Sequence, residues 1–192
     1  MTLNAIMSIP TLEPTAIPYD SGNISWILDS TALVILMLPG LAFFYGGAVS
    51  HKNTISTMYQ TLIAMAVVSI LWVTFTFSLA FGSDLGGIIG NPWTYFMYRD
   101  VNSDQADIFA PTIPLSLYFI FELSFAIVTT AVICGGLAER VNFYSWIIFA
   151  ALWHIFVYCP LVHIVWHPDG LLRKWGVMDY AGLHRAHSLL SQ

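Results

Sequence analysis

Residues 53–81 read NTISTMYQTLIAMAVVSILWVTFTFSLAF, and none of them is an acid or a base. A membrane-crossing helix needs roughly 20 predominantly apolar residues, so this stretch is long enough to span a bilayer. Hydrocarbon offers no water to backbone N–H and C=O groups, and a single segment satisfies its own groups there only as a helix. Working outward, three more runs share this character. Residues 24–49 carry one charge, Asp29, in their opening turns, and Pro39-Gly40 at their middle. Proline lacks a donor and crowds the preceding turn, so a bend is expected there. Residues 113–138 carry one charge, Glu122, and residues 143–166 carry no Asp, Glu, Lys or Arg. A fifth run begins after Asp179. The expected fold class is all-α, a polytopic transmembrane helical bundle of four spans and the start of a fifth.

Composition agrees. Of 192 residues, 57% are hydrophobic and 9% charged, against about 25% charged in an ordinary soluble domain. Scarce water-facing surface makes the lipid bilayer the natural surroundings. The net charge is −5 with no basic block, which argues against a nucleic-acid partner. Cys134 and Cys159 fall inside apolar runs, as small packing residues without metal-ligand spacing. Neither a metal nor any other cofactor is expected. The chain lacks the HExxH and GxSxG patterns, so an intramembrane enzyme is not expected.

Residues 1–20 lack Lys and Arg and contain Pro10, Pro14 and Pro18. They read as an uncleaved extended tail rather than a signal peptide. Four crossings place the short links at residues 50–53 and 139–142 on one side. Lys52 and Arg140 lie there, and the positive-inside rule assigns that side to the cytoplasm. Residues 1–23 then form an extracellular tail, and the long acidic link at residues 82–111 also lies outside. Arg99, Arg173 and Lys174 on the outer side weigh against this. No internal repeat is visible.

Few residues could carry chemistry. A charge at the bilayer centre costs at least roughly 2.5–3.5 kcal/mol for Asp, Lys or Arg, so Glu122 should face the protein interior. It could serve a substrate pathway or, as a neutral acid, an interhelical hydrogen bond. Phe121 and Phe125 are four apart and share a helix face. Such rings can narrow a pore, meet a cation, or simply pack. Trp166 ends the fourth span, where tryptophan is common as an interfacial residue. His163 and His167 have i, i+4 spacing, but Pro168 ends the helix and no third metal ligand is evident. Asp179, before Tyr180-Ala181-Gly182, reads as a helix N-cap. Gly46-Gly47 and Gly135-Gly136 sit near span ends, where small residues permit close helix approach.

Three strings, in this order, resemble the ammonium transporter family, Amt/Mep/Rh: STALVILMLPGLAFFYGGAVSHKN at 30–53, FELSFAIVTTAVICGGLAERVNF at 121–143, and YCPLVHIVWHPDGLLRKWGVMDYAG at 158–182. The resemblance implies a partial ammonium-transporter membrane domain over residues 24–182. The family protomer has eleven helices in an inverted pseudo-repeat, forms a homotrimer and sits in the plasma membrane. Its substrate is ammonium, recruited at an outer aromatic vestibule, deprotonated, and conducted as ammonia through an apolar pore lined by two histidines. By position, Phe125 matches the gating phenylalanine, with Phe121 beside it. Trp166 matches the vestibule tryptophan, and Asp179 the buried aspartate near the recruitment site. Many members carry Gln at Glu122, which lessens its claim to a pathway role. Trp166 favours the Amt/Mep type over Rh.

After Gly182 the resemblance fails. His187 falls where the first pore histidine is expected, but Leu183-His184-Arg185-Ala186-His187 replaces the family's small residue and Thr-Val-Val-His, and Arg185 would lie inside a span. Residues 183–192 therefore read as an atypical tail. The bases GGCTCCACCGTGCACAT encode Gly-Ser-Thr-Val-His in one frame and Leu-His-Arg-Ala-His two bases later. The leading expectation is an N-terminal part of an Amt-type transporter, inactive alone. The alternative is a non-transporting regulatory or assembly partner of full-length transporters. Sequencing the transcript across codons 180–195 is expected to show that restoring one base opens further membrane spans. Agreement of genomic and transcript reads on the present frame, with no membrane helices encoded downstream, would contradict it.

Overall fold

A computed structural model describes residues 19–101 and 109–177. Helix α1 spans Ser21–Ala48. After a 3-10 turn at His51–Asn53, α2 (Thr54–Leu71) runs through a π turn (Trp72–Thr76) into α3 (Phe77–Phe81). A short antiparallel hairpin follows, β1 (Asp84–Leu85) with β2 (Ile89–Gly90), pairing Asp84 with Gly90 and Leu85 with Ile89. Then come α4 (Leu115–Leu137), α5 (Phe143–Trp153), a π turn at His154–Tyr158, α6 (Cys159–Trp166) and the single turn α7 (Leu171–Lys174). Among the described residues, four continuous helical stretches are long and apolar enough to cross a membrane. They coincide with the four runs read from sequence. Pro39 stands inside α1 without ending it.

The helices are apolar around most of their circumference, as expected of segments that meet both protein and lipid. α4 is the central one. Most of its side chains are buried, and it packs on α1 and α2. The core gathers around Trp72, whose ring lies 5.5 Å from Phe77, 6.3 Å from Phe119 and 5.8 Å from His154. Its indole N–H donates to the Phe119 carbonyl at 3.2 Å, so the ring is buried with its polar atom satisfied.

Both π turns have local causes. Pro160 has no N–H to offer the carbonyl four residues back and crowds that turn, so the helix widens just before it. In the other, the Thr74 hydroxyl takes the Leu71 carbonyl at 2.8 Å, competing with the helical ladder. The two widened turns meet where Thr76 Oγ1 and His154 Nε2 lie 3.1 Å apart.

Cross-connections divide the bundle into two ends. At one, Asp20 N–H donates to Thr112 O (3.0 Å) and Leu171 N–H to Gly87 O (2.9 Å). The Asp20 carboxylate also caps α1, accepting from Gly22 and Asn23 N–H. At the other end, the links at residues 50–53 and 138–142 are joined by side-chain hydrogen bonds. The glycine pairs read from sequence divide. A Cβ on Gly135 would lie 2.4 Å from a ring carbon of Tyr45, and one on Gly46 would lie 2.7 Å from Met58 Cγ. Gly47 and Gly136 have open space. Cys134 and Cys159 are buried free thiols.

Gly135→Ala is accordingly expected to destabilise the bundle by about 1–3 kcal/mol through overpacking. Gly136→Ala should be neutral or slightly stabilising, since alanine is the better helix former. Thermal unfolding in detergent decides it, and equal midpoints for the two variants would contradict the packing described.

Candidate functional site

The hairpin end holds the aromatic residues read from sequence. Phe121 and Phe125 are six and ten residues from the start of α4, so at 1.5 Å per residue they stand roughly 9 and 15 Å along it. Their rings meet edge to face, with centroids 4.9 Å apart and planes at 69°. Phe121 is 3% exposed and Phe125 37%, so one ring is locked into the core and the other borders open space. Trp166 is the last residue of α6, half-buried and packed against the core. The three rings thus occupy successive depths, beginning at the hairpin end. Asp179 and His187 lie outside the described residues.

Glu122 is 7% exposed and faces the protein interior, as its charge required. His163 and His167 stack at 4.3 Å with planes 18° apart. His163 Nε2 lies 3.0 Å from Asp84 Oδ1 and its Nδ1 lies 2.9 Å from the Ala80 carbonyl. His167 Nδ1 accepts the Asp169 N–H at 3.0 Å. Among the described residues no three potential ligands converge on a metal. Burial works to raise the Asp84 carboxyl, but hydrogen bonds from His163 and Gly87, with the nearby cations, outweigh it. The group is held below the ordinary carboxylate range. The Lys174–Asp169 pair at 3.4 Å is exposed on both sides and adds little.

The opposite end is polar. A cavity of about 320 Å³ opens there, lined by residues that include Asn53, Thr57, Gln60, Glu139 and Arg140. Glu139 has a left-handed backbone (φ 64°), a conformation unusual for a residue with a side chain. Its carboxylate explains its presence. Oε1 accepts the Ser50 N–H (3.0 Å), the Ser50 hydroxyl, and the Asn53 amide (2.9 Å). One side chain thereby ties the α1–α2 link to the end of α4. The Ser50 and Asn53 hydrogen bonds hold its pKa down at about 2.

Sequence reasoning missed the Asp84–His163 contact, the Thr76–His154 pairing and the Glu139 knot. The partners in the first are 79 residues apart, and no local pattern announces them. Glu139 had a signal in the LAER string, whose acid sits just past a helix end.

The sequence model of the Ammonium Transporter Family matches residues 25–189. This chain belongs to that family. Among its relatives, a putative ammonium transporter of Methanothermobacter thermautotrophicus is 43% identical over 164 residues, covering 85% of this chain and 40% of that protein. An ammonium transporter of Mycobacterium tuberculosis is 40% identical over 189 residues, covering 88% of this chain and 40% of its own length. The crystal structure of Saccharomyces cerevisiae Mep2 superposes with a TM-score of 0.76 at 32% identity, over 85% of this chain and 36% of that one. Candida albicans Mep2 gives 0.77 at 29% identity, covering 85% and 35%. The chain therefore has the ammonium transporter fold in part. It is a multi-pass membrane protein and not an enzyme, and it spans about 40% of the length of the curated relatives it matches.

The Glu139 knot predicts a pH dependence. A depressed carboxylate contributes stability that is fully present above its unfolded pKa, about 4.3, and is lost as pH falls through the folded value, about 2. Glu139→Gln should therefore lower the unfolding midpoint by a constant amount from pH 8 to about 4.5, and the gap should narrow below that. A gap that widens on acidification would contradict the assignment.

Proposed function

We propose that these residues form the ammonium-recruiting half of an Amt/Mep-type transporter, with Trp166 and the hairpin end facing outside and Glu139 facing the cytoplasm. The reading rests on the family match over residues 25–189, together with one observation of geometry. Trp166, Phe121 and Phe125 descend in that order from a single end of the bundle, and Phe125 is the partly open ring.

The chemistry follows from the ion. Ammonium resembles a lysine head group and is mostly protonated at neutral pH. Taking a bare cation into hydrocarbon is prohibitively costly. The π faces of Trp166 and Phe125 can offset part of its dehydration. The ion then loses its proton, and ammonia, being neutral, crosses the apolar path. Asp179 adds negative potential near the recruitment site. His187 lacks the context of a pore histidine, and the family's second pore histidine belongs to the other half of the protomer. A homotrimer in the plasma membrane follows from the family.

The short span relative to its relatives supports a second reading, in which the 192-residue chain joins full-length subunits without transporting. On either reading it should not conduct ammonium alone, because the family's path lies between two halves of a protomer and these residues span about 40% of the relatives' length.

Two measurements in cells lacking their own ammonium uptake test this, with surface delivery confirmed. The 192-residue chain should give no saturable uptake, and growth rescue on scarce ammonium would overturn the inactivity. In a frame-extended, full-length version, Trp166→Leu should weaken recruitment about twofold to thirtyfold, the span of a cation–π contact of roughly 0.5–2 kcal/mol. Phe125→Ala should change the rate without loss of folded protein. Unchanged kinetics in both variants would refute the aromatic roles. Co-purification of the short chain with a full-length transporter would favour the second reading.

A further inference from the structure

The short hairpin is bonded to the chain on both sides of Trp166. Before it, three residues earlier on α6, His163 is fully buried with Nε2 3.0 Å from Asp84 Oδ1 on β1. After it, Leu171 N–H donates to the Gly87 carbonyl in the hairpin turn at 2.9 Å. The same Asp84 oxygen accepts the Gly87 N–H, which closes the loop of bonds. The circuit runs from Asp84 to His163, along α6 through Trp166 to Leu171, into Gly87 and back to Asp84.

Each link has a physical reason. α3 ends at Phe81, and the last carbonyls of a helix lack intrahelical donors. His163 Nδ1 faces one of them, Ala80 O, at 2.9 Å. Both ring nitrogens thus face oxygen atoms, one on each side of the ring. Gly87 has φ 80°, the left-handed turn conformation that favours glycine, and it lies against Leu171. Gly170 allows the chain to fold back, since a Cβ there would sit 2.3 Å from His163 O. The backbone after Trp166 is fixed too. His167 N–H returns to His163 O at 3.1 Å and Gly170 N–H to His167 O at 2.9 Å.

We infer that Asp84 is a positioning residue for Trp166: acting through His163 and Gly87, it fixes the end of α6 and so holds the indole at the mouth of the path. The inference rests on the role proposed above for Trp166. Asp84 itself touches no substrate. A hydrogen bond to a charged carboxylate is stronger than a neutral one, which suits one partly buried carboxylate to hold two segments.

The test has two arms. In the first, the 192-residue chain is labelled with 5-fluorotryptophan, and the Trp166 signal is assigned in the fluorine NMR spectrum by Trp166→Phe. Asp84→Ala and His163→Ala should each move or broaden that signal while leaving the exposed Trp26 signal in place. The double variant should do less than the two single ones added together, because they share the Asp84–His163 contact. In the second arm, Asp84→Ala in the frame-extended transporter should raise KM for ammonium about threefold to tenfold while holding the maximal rate per surface molecule. Asp84→Asn, which keeps the accepting oxygen without its charge, should fall between. A purely structural role would instead lower the surface amount and leave KM alone. An unmoved Trp166 signal overturns the inference, as does an unchanged KM in a parent that transports. If the parent takes up no ammonium, the proposed function has failed, and the fluorine arm still decides whether Asp84 positions the indole.

Discussion

Hydrocarbon cannot bond a peptide group. Everything else in this chain follows from that constraint, because a segment inside the bilayer must satisfy its own N–H and C=O groups and so must be a helix. It also decides where irregular backbone can stand. The hairpin, the 3-10 turn at Phe96–Tyr98 and the left-handed residues lie outside the spans, at the two ends of the bundle. The two departures inside spans are π turns, which keep the backbone bonded while changing its pitch.

With lipid outside and apolar side chains everywhere, burial alone does not specify which helix faces which. Close approach and a few polar contacts do that. Gly135 admits the Tyr45 ring and Gly46 admits Met58, which sets α1 against α4 and α2. The Trp72 and Trp146 indoles donate to carbonyls on neighbouring helices, at Phe119 and Gln60. At each end one carboxylate gathers separate segments, Glu139 at the cavity end and Asp84 at the hairpin end. The two acids do similar work at opposite ends of the bundle. Each accepts more than one hydrogen bond and is held below its ordinary pKa.

The spans were legible because length and apolarity are signals along one dimension, and both ends of every span fell within a few residues of the expected ones. Phe121 with Phe125 was legible for a similar reason, since i, i+4 spacing on a helix brings rings together wherever the helix lies. Glu122 had to face inward on energetic grounds, and it does. Gly46 and Gly135 were legible only as small residues. Nothing in the pairs Gly46-Gly47 and Gly135-Gly136 distinguishes the glycine that meets a neighbour from the one that does not, because that depends on helix rotation. The π turns follow from Pro160 and Thr74, but neither residue announces a π turn by itself, as Pro39 inside the continuous α1 shows. Asp84 with His163 was illegible because both members look ordinary locally, an acid in a loop and a histidine near a span end. Their meeting depends on how the second and fourth spans finish together.

The central claim is that the residues gathered around Asp84, His163 and Trp166 form the outward face of four packed crossings, with Glu139 at the opposite face. Cysteines placed singly at positions 93, 171, 52 and 140, in a background lacking Cys134 and Cys159, test it most directly with a membrane-impermeant maleimide. Positions 93 and 171 should react in intact cells, and positions 52 and 140 only after permeabilisation. Labelling of 93 and 171 from opposite sides, or of 52 and 140 from outside, would contradict the account.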